Sequence, residues 1–236
     1  NRSTHPFTPP MINSTPHISS ELERSLAEVG QELLTIASRS RNALAEASKG
    51  FLERDNGLCN AVIANDDVID DLDDLINHRA MEVLLRFRPV AIDMRTTLSS
   101  LRLSNSFERI GDESVSIARR ALRLNQAREH KDAGGLEPIM VKVRRHFEDA
   151  VVAYTEKDVE LARETLDTAQ QLHKRITEDI KQYGLTLNSK EENEPQTVID
   201  LLMILRSLDN VVGNSEDVAN EIIFLDEDIN DQLRPS

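Results

Sequence analysis

Four carboxylates in two short stretches have the residue types and spacing to bind a cation. Glu108 and Asp112 are four residues apart, and so are Asp66 and Asp70. On a helix this spacing places both acids on one face, where like charges repel by about 0.2–0.5 kcal/mol. If the two helices pack side by side, the carboxylates form an all-oxygen site. Such a site suits hard cations such as Mg²⁺, Mn²⁺ or Ca²⁺, and iron less exclusively.

A second interpretation of these acids stays open. Acidic runs on helices are more often solvated faces, and this chain is acidic throughout. Six of the nine residues from 66 to 74 are Asp, a poor helix former, and Asp73 continues the row of Asp66 and Asp70. Gly111, between the two acids of the other stretch, permits a close approach to the helix backbone. A neighbouring helix is a better candidate for that approach than a ligand.

Composition limits the classes of protein that this chain can belong to. Of its 236 residues, 39% are hydrophobic and 3% aromatic, and Gly and Pro number eight each, which favours packed helices over an all-β fold. The formal charge of −14 disfavours binding to nucleic acid or anionic lipid. No uncharged apolar run approaches the ~18 residues of a membrane helix, so direct membrane insertion is not expected. The single cysteine, Cys59, excludes an internal disulfide and is expected in the core.

The periodicity of apolar residues predicts an all-α protein with six long antiparallel helices. Residues 1–18 are polar and Pro-rich and are expected to form a mobile arm. Ser19 or Ser20 is expected to cap the first helix. The predicted helices cover residues 19–52, 58–87, 90–126, 138–155, 158–183 and 195–233.

The last three predicted helices repeat the first three. A shift of 101 positions pairs Phe107 with Leu208 and Ser114 with Ser215 without a gap. A shift of 103 aligns the earlier helices. The repeat predicts two tandem three-helix bundles, residues 19–130 and 136–236, joined near Gly134.

Known catalytic motifs are missing from the sequence. No His follows a Glu at the spacing of di-iron carboxylate bundles, and no Cys/His cluster for zinc occurs. The chain also lacks a Gly-rich phosphate loop and a nucleophile elbow. These absences argue against an enzyme.

Several stretches resemble the PhoU family of phosphate-signalling proteins. FERIGD at 107–112, followed by Ile117-Ala118, is similar to the family signature, which is roughly LERIGD and then Ile-Ala. RPVAIDMR at 88–95 and DDVID at 66–70 are similar to other family segments. The resemblance covers residues 19–230 and is more specific in the first half.

The resemblance implies a fold of two three-helix bundles and a function. Family members are cytoplasmic adaptors that link the ATPase subunit of a phosphate ABC transporter to a sensor histidine kinase. They restrain phosphate uptake and the starvation response, and they are not enzymes. Several hold iron, zinc or other metal ions on acidic motifs. Applied to this sequence, the resemblance implies that the ligands are Glu108 and Asp112, with Asp66 and Asp70 opposite.

The second half departs from the family pattern. Asp209 keeps the first acidic position, but Gly213 stands where the second acid is expected. On the opposite helix, Ala169 and His173 take the places of Asp66 and Asp70. A second site would draw on Asp209, Asp217 and His173, and we expect it to be weakened or lost.

Two alternative functions stay open from the sequence. The chain could be the cytoplasmic regulatory domain of a sodium–phosphate symporter, a class that resembles these adaptors. It could also be a metal-dependent enzyme or metal store built on a helical bundle. A homodimer is expected, because bundles of this kind often self-associate.

Overall fold

The computed structural model describes residues 16–126, 133–186 and 195–232, and within these ranges it contains helices and turns without a β-strand. The α-helices are α1 (Pro16–Leu52), α2 (Asn56–Ala64), α3 (Asp66–Phe87), α4 (Ala91–Gln126), α5 (Glu137–Glu156), α6 (Val159–Thr186) and α7 (Pro195–Gln232). A short 3₁₀ turn, Ala133–Leu136, precedes α5. The predicted all-α fold is therefore confirmed.

The predicted helix 58–87 is divided into α2 and α3 at Asn65. The Asn65 backbone N–H donates to the carbonyls of Ala61 and Val62, at 3.1 and 3.3 Å, and closes the end of α2. Asp66 and Asp67 then occupy the first turn of α3. Carboxylates are favourable at the positive end of the helix dipole, which accounts for part of the acid density.

The start of α1 differs from the sequence prediction. The helix begins at Pro16, so residues 16–18 belong to it and not to an arm, and neither Ser19 nor Ser20 is its cap. Proline suits the first helical position because its fixed φ is helical and its missing N–H would have no partner there. Residues 1–15 of the predicted arm lie outside the described residues.

One continuous apolar core joins the two halves. α1 packs against α3 and α4, α5 and α6 pack against α7, and α4 lies alongside α7. Phe107 of α4 is buried at the centre, with its ring centroid 6.3 Å from that of Phe147 and 6.1 Å from that of Tyr154. Cys59 is also buried, as expected.

The internal repeat is visible in burial and in hydrogen bonding. Ser114 and Ser215 are both buried, and each hydroxyl donates to the carbonyl four residues earlier at 2.7 Å. Leu98 and Ile199, also paired by the shift of 101, are exposed to a similar degree, 39% and 44%. Burial at these equivalent positions agrees with the predicted repeat.

The division of the chain into domains 19–130 and 136–236 stays a prediction. Gly134 falls in the 3₁₀ turn, and residues 127–132 lie outside the described residues. Among the helices described, none is long and apolar enough to cross a membrane.

Candidate metal centre

A short turn brings α3 and α4 together as antiparallel neighbours. α3 ends at Phe87 because Arg88 adopts a left-handed conformation and Pro89 follows it. A Cβ at Gly111 would lie 3.0 Å from Cδ1 and 3.1 Å from Cγ2 of Ile69. Gly111 therefore lets Ile69 pack against the backbone of α4, as the packing interpretation of this glycine predicts. The contact keeps the acidic rows of the two helices close.

Three of the four predicted ligands converge at this seam. One carboxylate oxygen from each of Asp66, Asp70 and Asp112 lies within 4.8 Å of the other two. A cation with metal–oxygen distances of about 2.0–2.6 Å can reach three oxygens at such separations. Asp66 is half-buried, and the other two are exposed and open to solvent.

Glu108, the fourth predicted ligand, lies beside this group without joining its three-oxygen cluster. Burial, followed by the negative charges of Asp112, Asp73 and Asp70, raises the pKa of Glu108 to about 7. Burial and neighbouring carboxylates also raise the pKa of Asp66 and of Asp70. The seam therefore concentrates negative charge that a bound cation would offset.

Two carboxylate oxygens at the seam are buried without a hydrogen-bond donor among the described residues, Oδ1 of Asp66 and Oδ1 of Asp73. A buried acceptor without a partner costs about 1–3 kcal/mol, and a cation is one partner that removes this cost. The residues present therefore fit a metal ion. Asp73 belongs to the acidic row visible in the sequence but was not among the predicted ligands.

The equivalent cluster of the second half is organised around a histidine. His173 of α6 lies between two carboxylates of α7, with Nδ1 2.5 Å from Oδ1 of Asp209 and Nε2 3.0 Å from Oε2 of Glu216. Burial lowers the pKa of His173, but the hydrogen bonds to these carboxylates outweigh it, and the net shift is upward. The second oxygen of Asp209 accepts a hydrogen bond from Arg206 at 3.0 Å.

Glu216, which the sequence prediction missed, stands in the position expected of Asp217. It lies seven residues after Asp209, and seven residues return a helix almost to the same face, whereas eight do not. Asp217 is exposed, and His173 makes no hydrogen bond or ion pair with it. The seven-residue spacing was the signal that could have identified Glu216.

An open cavity of about 650 Å³ extends from one cluster to the other. Asp112 and Arg109 of α4 line it together with His173, Asp209 and Asp217. Across the α4–α7 contact, Asn210 donates a hydrogen bond to Glu113 at 2.6 Å. The cavity therefore joins Asp112 of the first cluster to the second cluster.

Comparisons with known proteins agree with this architecture. The family profile of the PhoU domain matches residues 33–121. A phosphate-specific transport system accessory protein PhoU homolog of Pseudomonas putida is 30% identical over 223 residues, covering 91% of this chain and 85% of the relative. The homolog from Clostridium acetobutylicum is 25% identical over 207 residues, covering 86% and 93%.

Two crystal structures have the same fold. PhoU from Pseudomonas aeruginosa superposes with a TM-score of 0.76 at 24% identity, covering 87% of this chain and 98% of that one. The phosphate transport system regulatory protein PhoU from Streptococcus pneumoniae also gives 0.76, at 19% identity, covering 87% and 96%. The helical architecture, the FERIGD segment at the α3–α4 seam and the similarity along nearly the whole length agree, and this chain belongs to the PhoU family.

Proposed function

We propose that this chain is a cytoplasmic accessory protein of phosphate transport that restrains high-affinity phosphate uptake and starvation signalling. The observation that carries the proposal is the similarity to phosphate-specific transport system accessory proteins over 91% of the chain. The adaptor acts by binding two partners, the ATPase subunit of the phosphate ABC transporter and a sensor histidine kinase. It works as a homodimer and has no catalytic step of its own.

Binding and genetics together test this function. The purified chain is expected to bind the ATPase subunit and the cytoplasmic part of the kinase in pull-downs. In the source organism, deletion of the gene is expected to induce the starvation response at high phosphate, and the wild-type gene should restore repression. If the chain binds neither partner, with or without phosphate, and deletion leaves the response unchanged, the proposal is wrong.

We also propose that the α3–α4 seam holds one or more divalent or trivalent metal ions. The ligands are Asp66, Asp70 and Asp112, with Glu108 beside them. The buried, unpartnered Oδ1 of Asp66 and the three oxygens within 4.8 Å support a cation there. The all-oxygen ligand set suits Mg²⁺, Mn²⁺, Ca²⁺ or iron better than Zn²⁺, which prefers nitrogen and sulfur.

Metal content tests the site directly. Protein purified without chelator, then dialysed against each of Fe³⁺, Mn²⁺, Mg²⁺, Ca²⁺ and Zn²⁺, is analysed by plasma mass spectrometry. Asp66→Asn/Asp112→Asn should remove the bound metal. Asp67→Asn/Asp71→Asn is the matched control, because it removes the same charge from exposed positions of α3 and should retain metal. Equal metal in both variants, or none in the wild type, would refute the site.

A further inference from the structure

His173 and Asp209 occupy the positions that acids hold in the first half. The shift of 103 places His173 at the position of Asp70, and the shift of 101 places Asp209 at that of Glu108. The two clusters thus lie between equivalent pairs of helices, although Glu216 corresponds to Val115 and not to an acid. They differ in what neutralises their carboxylates.

The contacts of His173 define its charge. Each of its ring nitrogens lies within hydrogen-bond distance of a carboxylate oxygen, at 2.5 Å from Asp209 and 3.0 Å from Glu216. An ionised carboxylate only accepts hydrogen bonds, so each nitrogen must carry a proton to make a favourable contact. A neutral imidazole would set one bare nitrogen lone pair against a carboxylate. The favourable state is therefore the imidazolium cation.

The carboxylates around His173 already have partners. Asp209 accepts from His173 with one oxygen and from Arg206 with the other. In the first cluster, by contrast, no side chain among the described residues donates a hydrogen bond to Asp66, Asp70 or Asp112. Of the four carboxylate oxygens of Asp209 and Glu216, three already accept a hydrogen bond from a described residue, so this cluster has less to offer a metal ion than the first.

We infer that His173 is a built-in cation that takes the place of a metal ion in the second half and joins α6 to α7. Of these two clusters, only the one at the α3–α4 seam then binds metal. The comparison rests on the metal site proposed above, whereas the charge and contacts of His173 can be tested without it.

Nitrogen NMR of histidine-labelled protein is the first test. At neutral pH, ¹⁵N shifts of His173 should show both ring nitrogens protonated, with assignment by loss of the signals in His173→Gln. The spectrum of a neutral imidazole, with one protonated and one bare nitrogen, would overturn the inference. This experiment needs no metal, so its failure is distinct from failure of the α3–α4 site.

The second test measures metal binding after the second cluster is converted to acids. It uses protein in which Asp66→Asn/Asp112→Asn has removed the first site. Mn²⁺ is the probe, measured by equilibrium dialysis. This background should bind no Mn²⁺, and adding His173→Asp/Gly213→Asp should create binding. A Cβ at Gly213 meets nothing within 4 Å, so the second substitution has room. Gly213→Asp alone, which keeps His173, is the control and should bind none.

Two results would contradict the inference. The first is Mn²⁺ bound by the Asp66→Asn/Asp112→Asn protein and lost on adding His173→Gln, because His173 would then be a ligand. The second is a folded His173→Asp/Gly213→Asp protein without new Mn²⁺ binding. Circular dichroism establishes folding, and if the converted protein does not fold, the NMR spectrum and the His173→Gln result decide.

Discussion

The acidic clusters of the two halves lie between equivalent pairs of helices and differ in how their charge is balanced. At the α3–α4 seam, Asp66, Asp70 and Asp112 converge on one point with no donor from the described residues. Between α6 and α7, His173 stands among the carboxylates and hydrogen-bonds to Asp209 and Glu216. In the first cluster no described side chain donates to the carboxylates, whereas in the second a histidine lies between two of them.

The difference teaches that a repeat can keep its packing while its chemistry diverges. Phe107, Ile110 and Ser114 of α4 have equally buried counterparts in α7, namely Leu208, Val211 and Ser215. The acids lie at the edge of that core, where substitution changes charge without opening a cavity.

The largest expected effect is the difference in stability between the Gly→Ala variants at Gly111 of α4 and Gly213 of α7. Gly111→Ala should destabilise the protein by about 1–3 kcal/mol, because its Cβ would press on Ile69 and force α3 away from α4. Gly213→Ala should instead stabilise by up to about 1 kcal/mol, because the space is open and alanine favours the helix. Thermal and denaturant unfolding measure both variants.

The Ile69 contact itself provides the control for this prediction. Gly111→Ala/Ile69→Val should recover part of the lost stability, since valine lacks the Cδ1 atom that lies 3.0 Å from the added Cβ. Equal stability changes for the two Gly→Ala variants would mean that this contact does not hold the two helices together.

The next effect concerns Glu108 in protein freed of metal by chelator. Its folded pKa is about 7, above the ordinary 4.5, so the folded state retains a proton that the unfolded chain releases between these values. Stability should therefore fall as pH rises from 4.5 to 7 and stay lowered above that. Glu108→Gln should remove this loss, a gain of about 1 kcal/mol at pH 8 after allowing for solvent screening.

A matched control and a metal arm sharpen the Glu108 prediction. Glu160→Gln, at an exposed position of α6, should leave the pH profile unchanged. Saturating metal should restore stability to the wild type at pH 8. If the stability of Glu108→Gln changes with pH as that of the wild type does, the raised pKa of Glu108 does not lower the stability of the protein.

The smallest expected effect is a change of stability with pH that comes from His146 in the second half. Its pH dependence is opposite to that of Glu108. His146 of α5 is buried, and burial lowers its pKa although Glu216 and Asp149 oppose the shift. The unfolded chain therefore binds a proton that the folded state resists, so this contribution to stability is present above about pH 6.5 and is lost as pH falls. His146→Leu should flatten the acid side of the stability curve.

The control for this last prediction is His78→Gln, an exposed histidine of α3 that should leave the acid slope unchanged. Unfolding free energies between pH 5 and 8 distinguish the variants. An unchanged acid slope in His146→Leu would mean that His146 takes up its proton in the folded state as readily as in the unfolded chain.

Much of the fold was predictable from local patterns. The 3.6-residue periodicity predicted the long helices, and Pro89 predicted the end of α3. The split at Asn65 was not predicted, because the apolar stripe continues across it and the break depends on backbone hydrogen bonds. The sequence pattern predicts a later start for α1 than Pro16, because a proline at the first helical position resembles a helix breaker in sequence.

The candidate site was predictable in part. The i, i+4 spacing of the acids predicted the four ligand candidates near the seam. Spacing along one helix does not determine which carboxylate oxygens come together across two helices. Only the packing of Ile69 on Gly111 brought Asp66, Asp70 and Asp112 together and left Glu108 at the side.

By itself, the sequence determined the helical class, the repeat and the acidic character of both clusters, because periodicity and charge are local properties of the chain. The tertiary structure decided which acids converge at the α3–α4 seam and that His173 pairs with Asp209 and Glu216. Those pairings join residues on different helices. They depend on the angle and distance at which the helices pack, which no single segment encodes.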